Sequence, residues 1–156
     1  MIGELNQQEI ESLLESQPVG RIGCRDGNIV YIVPLSYAYD GNNVYARSLE
    51  GTKIDMMRQH PDVCFEVDDT SDMANWRSVI AWGRFEELQG AERLEALKTL
   101  LRRRLPLSSS TTTHIGEHWP FSESELEKLE GVVFRIPLTR KTGRFEQTSA
   151  EGPNLD

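Results

Sequence analysis

Arg47, Ser48, Thr52 and Lys53 put two cations and two hydroxyls into one short stretch, GNNVYARSLEGTKIDMM, residues 41–57. Guanidinium, ammonium and hydroxyl groups share one preferred partner, an oxyanion such as a phosphate, which takes hydrogen bonds from all three. The local pattern gives them a reason to converge. Asp40-Gly41-Asn42 reads as a tight turn, and Val44 to Ser48 alternates as a short strand does. Leu49-Glu50-Gly51 then breaks the strand, and Thr52 followed by Asp55 has the spacing of a helix N-cap with its reciprocal acidic partner. A helix starting near Thr52 aims free backbone N–H groups at the same small volume, which suits a phosphate. The same residues also suit an ordinary strand-to-helix turn with solvated charges, and spacing alone leaves both readings open.

Other chemistries lack their motifs. The chain has no GxSxG elbow, no CxxC, no Walker loop and no GxGxxG after a strand, so hydrolase and nucleotide-triphosphatase readings have no support. His114 and His118 are four apart, but no HExxH pattern surrounds them and no cysteine or carboxylate cluster completes a metal site. Glu86-Glu87 and Asp68-Asp69 follow strand ends and read as solvated faces rather than acid–base pairs.

Length and charge narrow the class. A chain of 156 residues is expected to form one domain, here residues 1–148, with a polar tail from 149 to 156. A formal charge of −8 argues against a general nucleic-acid binder, although an acidic protein can still hold one phosphate locally. Cys24 and Cys64 lie far apart in predicted strands, which points to free thiols in a reducing compartment. The N-terminus, MIGELNQQEIESLLES, lacks the basic-then-apolar pattern of a signal peptide, and no apolar run reaches the roughly 20 residues that span a bilayer. A soluble cytoplasmic protein is expected.

The elements that must position the corner follow from periodicity. Asn6 and Glu9 form a capping box, flanked by Leu5 and Ile10 at staple positions, for a short helix with Ile10, Leu13 and Leu14 on its apolar stripe. Val19 to Cys24, the turn Arg25 to Asn28, and Ile29 to Tyr39 make a hairpin whose long second strand is apolar on both faces, as in a strand buried on both sides. Pro34 interrupts it and demands either an edge or a bulge. Ile54 and Met57 mark one side of a helix that His60-Pro61 ends. Val63 to Val67 is a strand, Asp69 to Asn75 a loop, and Trp76 to Leu88 a strand in which Gly83 marks a bulge or a close approach. Gly90 to Arg104 is helical, and Arg102-Arg103-Arg104 face the negative end of its dipole. Residues 107–121, with the Ser-Thr run, His114, His118 and Trp119, read as a mobile loop. Ser122 and Glu125 cap a last helix, Gly131 to Leu138 is a buried strand, and Thr139 to Arg144 is a basic turn. Hairpin-joined strands with few helices predict an α+β, mainly β, antiparallel barrel.

Three segments in order, IVPLSYAYDGNNVY, RSLEGTKIDMMRQHPDVCFEVDD and WRSVIAWGRFEEL, resemble the FMN-binding split barrels, the pyridoxamine 5′-phosphate oxidase-like proteins. Within them the chain is most similar to the flavin-binding branch that includes nitroimidazole-resistance proteins. The resemblance runs from Leu5 to about Arg144. It implies a six-stranded antiparallel split barrel with short peripheral helices, a homodimer, and one FMN per protomer at the subunit interface. By that likeness Val33, Pro34, Leu35 and Ser36 lie along the isoalloxazine, Arg47, Ser48, Thr52 and Lys53 take the phosphate, and Trp76, Arg77, Ser78 and Val79 reach FMN from another part of the barrel or across the dimer. Many nitroimidazole-resistance relatives have histidine where this chain has Arg47, so that histidine's chemistry does not transfer. The C-terminal TRKTGRFEQ does not reproduce the oxidase's grip on pyridoxal phosphate, which argues against a vitamin B6 enzyme. What the resemblance implies is a small FMN-dependent oxidoreductase, with no side chain acting as nucleophile, a nicotinamide or other electron donor, and a small organic acceptor. A flavin store or sensor without turnover, and a barrel binding haem or a deazaflavin, are the alternatives.

Overall fold

The computed structural model describes residues 1–103 and 123–148. Residues 107–121 and the tail from 149, for which a mobile loop and a polar end are expected, lie outside the described residues, as does Ser122. The elements in order are β1 (Ile2–Glu4), α1 (Gln7–Ser16), β2 (Val19–Asp26), β3 (Ile29–Ser36), β4 (Ala38–Tyr39), β5 (Asn43–Ser48), α2 (Thr52–Gln59), β6 (Asp62–Asp72), β7 (Asn75–Arg84), β8 (Glu86–Glu87), α3 (Gly90–Arg102), α4 (Glu123–Glu127) and β9 (Val132–Glu146). Every strand pair is antiparallel. The mainly β class is as expected, with nine strand segments among the described residues where six are predicted, because long strands break and short ones, β1, β4 and β8, attach at the ends.

Strand order is β3-β2-β6-β7-β9-β5-β4, with β1 and β8 also on β9. β9 turns the sheet into a barrel. Its first half pairs with β5 and β8, and its second half with β7 and β1. The switch falls at a register shift between Trp82 and Gly83, where Thr139 is the extra residue and its hydroxyl donates to the Trp82 carbonyl at 3.2 Å. A Cβ at Gly83 would overlap the Pro137 carbonyl, so this corner requires glycine. Residues 139–144, expected as a basic turn, are therefore strand, paired along β7 from Arg140 on, with β1 joining at Arg144.

The barrel does not close. β3 and β4 are the two ends of the strand path; β4 covers only Tyr45 and Val44 of β5, and no ladder joins β3 to β5 where the two approach. Inside lie Ile22, Phe65, Val67, Val79, Val44, Ala46, Phe134 and Ile136, all 1% exposed or less. Leu13 and Leu14 of α1 and Ile54 and Met57 of α2 join the same core. The α1 capping box forms as expected, Asn6 and Glu9 exchanging hydrogen bonds of 2.9 Å. Tyr37 leaves the extended path between β3 and β4, donates to the Leu14 carbonyl at 2.5 Å and packs edge-on against Phe65. That break splits the single strand expected over Ile29 to Tyr39.

Several boundaries differ from expectation. β6 continues to Asp72, turning what reads as a loop into a tight hairpin, and β7 stops at Arg84 because the bulge redirects the chain into β8. α3 ends at Arg102, and Arg103 is its extended C-cap. The larger correction concerns β3. It is the edge strand that Pro34 allows, its register against β2 is unbroken, and one of its faces is open: Val30 is 74% and Ile32 68% exposed. Tyr31, Val33 and Leu35 point inward, while Val30, Ile32 and Pro34 point out. Among the described residues no helix is long and apolar enough to cross a membrane.

Candidate functional site

The gap between β3 and β5 gathers the groups with unused hydrogen-bonding capacity. On one side β3 runs along an open sheet edge, leaving a row of backbone groups from Val33 to Ser36 without a strand partner there. On the other, β5 ends at Ser48 and the chain turns through Leu49-Glu50-Gly51 into α2. Thr52 is already helical. The N-cap is Gly51, extended at φ 170°, with no side-chain cap, so the predicted Thr52–Asp55 box does not form. Gly51 accepts the first helical hydrogen bond, from the Asp55 N–H at 3.1 Å. The N–H groups of Thr52, Lys53 and Ile54 precede that first bond and have no intrahelical acceptor.

Side chains around this start divide by strand alternation. Val44, Ala46 and Ser48 face the barrel core, and Ser48 is 2% exposed, its hydroxyl donating to the Leu49 carbonyl at 3.1 Å. Tyr45 and Arg47 face the other way, toward α3. The Arg47 Nε donates to the Glu130 carbonyl at 2.8 Å, beside Gly131, whose φ of 104° favours glycine. Burial, then repulsion from Arg93, lowers the Arg47 pKa below the ordinary guanidinium value. Lys53 differs: it forms no ion pair among the described residues. It lies near enough to Cys24 to oppose the rise that burial imposes on that thiol's pKa. The structure thus leaves Thr52 and Lys53 in the first turn of α2, just past the end of β5, buries Ser48 against the core and turns the Arg47 side chain to the opposite face of β5.

The remaining predicted site residues lie elsewhere in the protomer. β7 is separated from β3 by β2 and β6. Trp76 donates its indole N–H to Glu146 at 3.0 Å, and Arg77 pairs with Asp69 at 2.9 Å. Ser78 sits 3.5 Å from Glu66, and Val79 is wholly inside the core. Within one protomer these residues do not meet Lys53 or β3.

Two features escape sequence reasoning. One is the outer face of β3, β2, β6 and β7, where Val30, Ile32, Cys64 and Trp82 border an open groove of about 750 Å³. Gly23, lacking a side chain, forms part of its floor. Strand alternation shows which residues share this face, but composition could not tell a covered face from an open one. At its margin Arg21 pairs with Asp68 at 2.6 Å, and burial, then the Asp68 charge, raises the Glu66 pKa against the pull of Arg21. The second feature is Arg58, which holds Glu50 and Glu87 at once. Its partners are distant in sequence, so no spacing signal announces it.

Residues 6–145 match the family model described as pyridoxamine 5′-phosphate oxidase. A FAD-binding protein of Mesorhizobium loti is similar in structure, with a TM-score of 0.73 and 30% identity, over 94% of this chain and 99% of that one. A Bacteroides thetaiotaomicron protein assigned to 5-nitroimidazole antibiotic resistance shares the fold at 20% identity, TM-score 0.70, over 93% of this chain and 87% of its own. An uncharacterized protein of Rhizobium meliloti (strain 1021) is 33% identical over 88 residues, 56% of this chain, and the matched part spans 58% of that relative's length.

Proposed function

Because the chain belongs to the pyridoxamine 5′-phosphate oxidase-like family, we propose that it holds FMN in the gap between β3 and β5 and serves as a small flavin-dependent oxidoreductase. The observation that carries this reading is the unpaired Lys53 beside an uncapped helix start at an open sheet edge. That donor set fits the group: an ammonium, the Thr52 hydroxyl and backbone N–H groups with no intrahelical acceptor are what a phosphate takes, and the buried Ser48 hydroxyl would join them only by leaving the Leu49 carbonyl. Val33, Pro34, Leu35 and Ser36 would offer backbone groups to the ring. Arg47 would join the phosphate contacts only by leaving the Glu130 carbonyl. A bound flavin would supply redox chemistry between a nicotinamide donor and a small organic acceptor. The chain itself binds, orients and excludes water.

A second copy of the chain completes the site in this reading. The face that carries the exposed Val30 and Ile32 beside the half-buried Trp82 is the kind of apolar surface that monomers rarely leave open. Its burial in a homodimer would also bring Trp76, Arg77, Ser78 and the Val79 backbone of one protomer within reach of the other's gap. Free Cys24 and Cys64 suit the reducing cytoplasm. The similarity to a FAD-binding protein favours a second reading in which the cofactor is FAD. Absorbance of the purified protein, followed by mass identification of what heat releases, separates the two. Bands that bleach with a nicotinamide donor and recover with an acceptor support an oxidoreductase; bands that never cycle point to a flavin store or sensor.

A further inference from the structure

We propose that Arg58 is a positioning residue for the phosphate corner, acting by keeping the Glu50 carboxylate off the vacant start of α2; this rests on the flavin reading above. Glu50 stands immediately before the Gly51 N-cap. A carboxylate there is drawn to the positive end of the helix and can accept from its free N–H groups, the same groups a phosphate needs. Yet α2 has no side-chain cap. Gly51 has no side chain to cap with, and Glu50 does not cap in its place because both its oxygens are taken: Arg58 Nη1 donates to Oε2 at 2.8 Å and Nη2 to Oε1 at 2.9 Å. Arg58 lies in the second turn of α2, and helical side chains lean toward the N-terminus, which carries its guanidinium back to the turn.

The same guanidinium is anchored from the sheet. Its Nε and Nη2 donate to the two oxygens of Glu87 at 3.0 and 2.8 Å, and Glu87 belongs to β8, paired with β9. A single exposed ion pair fixes little, but two bidentate forks on one arginine set a geometry. Release of Glu50 leaves a carboxylate free either to cap α2 or to repel the incoming dianion.

Titration of the apoprotein with FMN and with riboflavin, which has the same ring and no phosphate, reads this directly. Arg58→Gln should raise the Kd for FMN by about 3- to 10-fold, the scale of one unscreened neighbouring charge at a protein surface, and leave the Kd for riboflavin unchanged. The double variant Glu50→Gln/Arg58→Gln should return FMN to the wild-type value. Should Arg58→Gln fail to fold, Arg58→Lys keeps the charge but loses one fork, and a smaller loss confined to FMN is expected. Equal losses for both flavins, or no recovery in the double variant, overturn the inference and leave Arg58 a structural staple. Wild-type protein that binds neither flavin overturns the flavin reading itself, and this inference with it.

Discussion

Lys53 carries a charge that nothing among the described residues neutralises, and it sits in the first turn of a helix whose N-cap offers no side-chain hydrogen bond. Lys53→Ala should weaken FMN binding by about 5- to 100-fold, the worth of one charge-assisted hydrogen bond, in a fluorescence titration; unchanged affinity would put the phosphate elsewhere. Glu66 is the opposite case, an acid held in an unfavourable place. Burial and Asp68 raise its pKa in the folded chain, so the folded state binds that proton more tightly than the unfolded state does. Its contribution to stability is therefore best at low pH and declines as pH rises past the ordinary carboxylate range. Glu66→Gln should raise the Tm at pH 7 by an amount worth roughly 1 kcal/mol or less, with the gain vanishing near pH 4; a gain equal at both pH values would contradict this. At this scale the cluster of hydroxyls and cations was legible in the sequence because residue type alone declares it. The separation of Arg47 from Ser48 was also available, since neighbours in a strand point to opposite faces, but a reading by proximity in sequence passes over it.

Elements hold these residues by a few specific contacts. The α1 capping box satisfies N–H groups at the helix start, and Asn6→Ala should cost about 1 kcal/mol in a denaturant titration. A null effect would mean that tertiary packing alone fixes the helix. Gly83→Ala should be worse, about 2 kcal/mol or more, because the added carbon meets backbone at the point where β9 changes partners. Recovery of wild-type stability would show that the corner can relax. α1 was legible because its capping box and its stripe of Ile10, Leu13 and Leu14 agree. α2 was legible in extent but not in its cap: Thr and Asp three apart recur in many first turns, and only the backbone conformation of Gly51 shows that Thr52 is already inside. The second half of β9 was hidden for a different reason. Thr139 to Arg144 carries polar side chains of which Thr139, Arg140 and Arg144 are exposed, and pairing with β7, rather than intrinsic propensity, makes it strand.

At the scale of the molecule, the open barrel presents two surfaces: the gap beside β3 and the apolar outer face that β3 shares with β2, β6 and β7. β3 belongs to both. Its apolar residues on two faces read in the sequence as burial within one chain, whereas the structure buries only Tyr31, Val33 and Leu35 in part or whole and exposes Val30 and Ile32. A second copy would reconcile the two, and Ile32→Glu should then give a monomer by sedimentation velocity where the wild type is a dimer, with loss of flavin affinity. A wild-type monomer would sink that part of the proposal. The most direct measurement of all is a crystal structure of the protein grown with FMN. The phosphate is predicted within hydrogen-bond distance of the Lys53 Nζ and the first-turn N–H groups of α2, with the ring along Val33 to Ser36. A flavin bound elsewhere, with Lys53 turned to solvent and the β3 edge bare, would contradict it.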